Sequence, residues 1–129
     1  MAETRKAPRL GDLESDVMGA VWELGEASVA DVRRALGERS AYTTVMTVMT
    51  RLADKGLLRR RKVGRAFVYE PTRAQAVVGA SLMRGLVDRL YGGSSARAVA
   101  HLITDDPRVD DEELARLEEL IRKKRSERA

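Results

Sequence analysis

The chain has 129 residues, 43% of them apolar and 34% charged, with a net charge of +4, one histidine and no cysteine. That length holds one ordinary domain, or a small domain plus an oligomerisation element, and excludes two large domains. Without cysteine there is no disulfide, thiol nucleophile or thiolate metal site, and one histidine cannot build an imidazole cluster, so no metal and no cofactor is expected.

No apolar run approaches the roughly 18 residues that a membrane span needs, and the opening Met-Ala-Glu-Thr-Arg-Lys lacks the apolar stretch of a signal peptide. The expectation is a cytoplasmic protein with no membrane insertion. The charge is unevenly placed: residues 1–73 carry 14 Lys/Arg against 10 Asp/Glu, whereas residues 74–129 carry 10 of each. The densest part runs from Arg51 to Arg73, where Arg59-Arg60-Arg61-Lys62 and Arg65 meet only Asp54 and Glu70. Such a field attracts phosphate, although a basic tetrad by itself is more often a solvated face.

After an arm over 1–9, expected to be flexible, Leu13, Val17, Val21 and Leu24 recur at helical spacing between Asp12, a good N-cap, and Gly25. Ser28 with Asp31 has the form of a capping box, and Val29, Val32 and Leu36 predict a second helix of about three turns that ends at Gly37. A third helix is expected over 43–55, with Val45, Val48 and Leu52 facing inward and Thr43, Thr47, Thr50 and Asp54 on the opposite stripe. Threonine is a mediocre helix former, so a stripe of it points to a demand other than solvation. Short hydroxyl side chains with methyls suit a DNA major groove. Met46 and Met49 flank the stripe and read as core or core edge.

From Leu57 the period becomes two: Leu58, Arg60 and Lys62, a turn at Gly64-Arg65, then Ala66-Phe67-Val68-Tyr69 before Pro71. This is a β-hairpin whose Phe67 and Tyr69 are expected to pack on the helices, with the basic strand and tip along a phosphate backbone. Helices followed by a basic hairpin make a winged helix-turn-helix, here over 10–72. Residues 73–129 read as a helical dimerisation domain: a helix over 73–91, the break Gly92-Gly93-Ser94-Ser95, a short apolar helix over 96–103, and a last helix over 110–125. Leu86 and Leu90, with the stripe Leu114, Leu117, Leu120 and Ile121, are the expected dimer contacts, since three thin amphipathic helices cannot close a core alone. The fold class is therefore mostly α with a small β wing.

The run Ala41-Tyr42-Thr43-Thr44-Val45-Met46-Thr47-Val48-Met49-Thr50-Arg51-Leu52, then Lys55-Gly56, the wing Gly64-Arg65-Ala66-Phe67-Val68-Tyr69 and Leu90-Tyr91-Gly92-Gly93 resemble the BlaI/MecI/CopY family of bacterial penicillinase repressors. The resemblance covers the chain from about Leu10 to the last helix. It implies a homodimer that binds double-stranded DNA at a two-fold symmetric operator and blocks transcription of β-lactam-response genes. It further implies inactivation by cleavage after a membrane metalloprotease sensor detects β-lactam. Carried over residue by residue, Thr43, Thr44, Thr47 and Arg51 lie nearest the DNA, with Arg60, Lys62 and Arg65 on the wing. The cleaved bond of staphylococcal members is Asn-Phe, and the aligned pair here is His101-Leu102. The copper-responsive branch uses cysteines near its C-terminus, which this chain lacks.

Three other classes compete with this reading. An enzyme needs a nucleophile with its base, a carboxylate pair in a pocket or a phosphate loop, and none is evident in the sequence. A lone histidine such as His101 is far more often structural than catalytic. A winged helix used for protein contacts alone, and one released from DNA by a small-molecule ligand, both remain open at this stage.

Overall fold

The computed structural model describes residues 10–128, and among them it places six helices and one two-stranded antiparallel sheet. The arm expected over 1–9 lies outside the described residues. Among the described residues no helix is long and apolar enough to cross a membrane.

Helix α1 spans Asp12–Leu24. Its N-cap is Gly11 and not Asp12: the backbone N–H of Gly11 donates to Glu14 Oε1 at 2.9 Å, so the acidic side chain three residues into the helix satisfies the donor that a serine or aspartate cap would leave to water. Glu14 is buried, and its carboxylate also accepts from Lys55 Nζ at 2.9 and 3.1 Å. The Gly11 N–H bond first, then the Lys55 hydrogen bond, hold its carboxyl below the ordinary value of 4.5. A depressed folded-state pKa contributes stability that is present above the unfolded value and is lost as pH falls through the folded one. Glu14→Gln keeps the acceptor for Gly11 and removes the charge, so urea unfolding should show it about 1–3 kcal/mol less stable than wild type at pH 7. The gap should narrow as pH falls below the ordinary carboxyl value of 4.5 and through the lower folded one; a gap independent of pH would remove the ion pair as its cause.

Helix α2, Val29–Ala35, starts at the expected box: Asp31 N–H donates to Ser28 Oγ at 3.1 Å and Ser28 N–H to Asp31 Oδ2 at 3.0 Å. It has two turns and not three, because Leu36 leaves the helix and Gly37 and Glu38 take positive φ. Helix α3, Tyr42–Asp54, buries Val45, Val48, Met49 and Leu52 against Val17, Met18 and Val21 of α1 and Val32 of α2, and Gly56 at φ 82° turns the chain out of it.

Strands β1, Leu58–Val63, and β2, Ala66–Pro71, pair from Leu58↔Pro71 to Val63↔Ala66. The two-residue turn has positive φ at Gly64 alone, the sign pattern of a type II′ turn, which places glycine first. An isolated hairpin is marginal, and two devices dock this one. Tyr69 is 1% exposed within the core, and Ala27 between α1 and α2 exchanges both backbone bonds with it, N–H to O at 2.9 and 2.8 Å. Ala27 is thus a one-residue third strand. Phe67 departs from expectation: it is 40% exposed, since two residues further out along β2 carry it roughly 7 Å beyond Tyr69.

Helix α4, Gln75–Leu90, runs through Gly79 and Gly85, and α5, Ser95–Thr104, is capped by Ser94 Oγ, which accepts from Arg97 N–H at 3.1 Å. Helix α6, Asp111–Arg128, is longer than the periodic stripe suggested and buries none of its residues. Contacts divide the chain into two compact units, one ending at Gly85 and the other beginning at Leu86.

Candidate nucleic-acid interface

Because α3 is fixed by its buried stripe, its opposite surface is presented outward as a set. Thr43, Thr44, Met46, Thr47, Arg51 and Asp54 are exposed and Thr50 is half-buried. The two flanks of this surface differ. Towards the hairpin, Tyr42, Met46, Thr47, Thr50, Arg51 and Asp54 face Arg60, Arg65 and Phe67 across an open cleft of about 660 Å³. Towards the start of α1, Thr43, Thr44, Thr47 and Arg51 line a depression of about 570 Å³ with Gly11–Glu14. Thr47 and Arg51 belong to both. Of the residues expected to meet DNA, only Lys62 lines neither, and it shares a strand face with Arg60.

The pleat of β1 sorts its cations into two groups. On one face Arg59 pairs with Glu70 at 2.7 Å, and Arg61 pairs with Glu26 at 2.6 Å and approaches Glu70 at 3.9 Å. The Arg59 hydrogen bond holds the Glu70 carboxyl below its ordinary value. On the other face Arg60 and Lys62, like Arg65 in the turn, have no carboxylate at ion-pair distance among the described residues. The Arg60 guanidinium lies 4.5 Å from the centroid of the Phe67 ring, so an aromatic face steers it without neutralising it. Half of the basic tetrad is thereby balanced within the fold, and half remains as positive field beside α3.

The carboxylate partners of Arg59 and Arg61 were legible only in part. Glu70 lies opposite on β2, but Glu26 reaches Arg61 only because the Ala27 bridge brings the α1–α2 link to the hairpin. Tyr42, Met46 and Phe67 were missed as cleft residues because large apolar side chains are assigned to a core unless the fold holds them off it.

His101 and Leu102 both lie inside α5 and are exposed, and His101 Nδ1 is 2.8 Å from Tyr91 Oη. Leu86, Leu90, Leu114, Leu120 and Ile121 are exposed in the single chain, and Leu117 is half-buried. A groove of about 730 Å³ between α5 and α6 is lined by Val99, Ile103, Leu114, Leu117, Leu120 and Ile121. Among the described residues no group of acidic, histidine or cysteine side chains could hold a metal ion.

The sequence profile described as "Penicillinase repressor" matches residues 10–123. The chain belongs to that family. It is 27% identical over 119 residues to the Penicillinase repressor of Bacillus licheniformis, covering 91% of this chain and 92% of the relative. It is 40% identical over 102 residues to the Transcriptional regulator BlaI of Mycobacterium tuberculosis, covering 76% and 74%. A MarR family protein from Bacillus stearothermophilus has the same fold, with a TM-score of 0.54 at 15% identity over 93% of this chain and 76% of that one. The penicillinase repressor family is one of transcriptional regulators, so the chain is a BlaI-type repressor with a winged-helix DNA-binding domain and is not an enzyme.

Proposed function

We propose that this repressor acts as a homodimer on a two-fold symmetric operator, with α3 of each copy in a major groove and the unpaired cations of the hairpin on the flanking phosphates. The winged helix over 10–72 binds the DNA, and 73–129 joins the two copies. The observation that carries this reading is the sorting of the wing cations: Arg60, Lys62 and Arg65 are left without carboxylates, and Arg60 and Arg65 face the outward surface of α3 across the cleft. By analogy with the relative named Penicillinase repressor, the regulated genes belong to a β-lactam response in the cytoplasm. A membrane metalloprotease sensor ends repression through a cut in α5, to be seen as a new N-terminus at Leu102 after β-lactam exposure.

The test compares the two faces of β1 by titration at several salt concentrations. Arg60→Ala, Lys62→Ala and Arg65→Ala should each weaken binding to all DNA and reduce the slope of log affinity against log salt by about one unit, the signature of one lost phosphate contact. Arg59→Ala and Arg61→Ala should change the slope by much less, since their charges are already met by Glu70 and Glu26. Equal slope losses on both faces would show that the internal pairing does not decide which cations meet DNA.

A further inference from the structure

In a helix-turn-helix the N-terminal part of the recognition helix meets the base edges. Proteins identify guanine there by paired bonds from Arg or Lys, adenine by Asn or Gln, and cytosine by Asp or Glu. Over Tyr42–Met49, the first eight residues of α3, the chain has none of these six side chains. The exposed groups are hydroxyls, methyls, one phenol ring and one thioether. Thr47 narrows the choice further, because its Oγ1 donates to the Thr43 carbonyl at 2.9 Å. With that proton committed inside the helix, Thr47 has only acceptor lone pairs and a methyl left to offer.

Met46 and Met49 are the same residue in opposite environments: Met49 is fully buried and Met46 is 41% exposed. A single exposed apolar side chain needs no explanation, but Met46 shares its cleft with Tyr42 and Phe67, both large, apolar and exposed. The wing-side flank of α3 therefore carries an apolar patch, Tyr42 and Met46 across from Phe67, set among Thr47, Thr50 and Asp54 and the cations Arg51, Arg60 and Arg65. The one apolar feature on the major-groove edge of a base pair is the thymine 5-methyl group. We infer that Met46, with the methyl of Thr47 beside it, reads thymine 5-methyl groups in each operator half-site. This rests on α3 lying in the major groove.

The test uses the full-length protein and a duplex that it selects from a randomised pool. Each thymine is replaced in turn by uracil, which removes the methyl and leaves every hydrogen-bonding group. Affinity is measured at fixed salt. Wild type should lose about four-fold at one thymine in each half-site, the loss expected for one buried methyl. Met46→Ala should bind the thymine and uracil duplexes at that position equally. Insensitivity of wild type to every uracil, or an unchanged penalty in Met46→Ala, overturns the inference. Met46→Lys separates this failure from that of the reading beneath it. If α3 lies in the groove, lysine at Met46, or in Thr43→Lys or Thr47→Lys, changes base preference in each half-site whatever the methyl does, whereas unchanged profiles in all three take α3 out of the groove.

Discussion

If the repressor is the proposed dimer, replacing Leu120 and Ile121 together with glutamate is expected to yield monomers and to weaken operator binding by about 10²–10⁴-fold. The magnitude follows from linkage: when two winged helices are joined, the second half-site is bound at an effective concentration in place of a free one, and separating the copies forfeits that gain. The two side chains are 62% and 55% exposed in the single chain, and α6 buries none of its residues. In a monomer such surface changes cost within about half a kcal/mol, so thermal unfolding of the winged helix should hardly move. In a dimer they place carboxylates against the apolar lining of the α5–α6 groove, where each leucine or isoleucine covered contributes about 1.5–3 kcal/mol. Truncation before Asp110 should have the same effect on assembly. Sedimentation of the double variant as an unchanged dimer would remove α6 from the interface and leave its exposed stripe without this explanation.

Tyr69→Ala is expected to have the largest effect on stability, about 3–5 kcal/mol, a large part of what holds a domain of this size together. Tyr69 heads the largest fully buried side chains, and its ring sits where β2 meets the helices. Its loss removes packing and leaves a cavity behind the hairpin. The backbone exchange with Ala27 survives the substitution in principle, but two hydrogen bonds do not dock a two-stranded sheet by themselves. DNA binding should fall with stability, because Arg60 and Arg65 face α3, and Lys62 shares the strand face of Arg60, only while the wing is docked. Phe67→Ala provides the contrast: that ring is 40% exposed, so unfolding should shift little while the Arg60 guanidinium loses the face that steers it. Equal destabilisation by the two substitutions in a urea titration would show that the hairpin is held along its length and not at Tyr69.

The sequence alone determined the order of elements, the three-helix-plus-hairpin plan, the inward stripe of α3 and most of that of α1, whose last member, Leu24, is 47% exposed. Each of these is a local property: a period of 3.6 or 2, a cap such as Ser28 with Asp31, or a glycine where φ must be positive, as at Gly56 and Gly64. It also brought forward the outward threonines of α3 and the alternate cations Arg60 and Lys62, because alternation along a strand is itself written in the order of residues. Tertiary structure alone decided which partners distant residues find. The Gly11–Glu14–Lys55 network closes across 41 positions of sequence, and Glu26 neutralises Arg61 across 35. The Ala27 strand is one residue long, too short to leave a periodic trace. Phe67 and Met46 show the same limit from the other side. Both belong to residue types that ordinarily fill cores, and both are exposed because one lies further out along β2 than the docked Tyr69 and the register of α3 turns the other away. Periodicity reports which way a side chain faces within its own element, whereas burial depends on what stands opposite, and that is set by the packing of the whole chain.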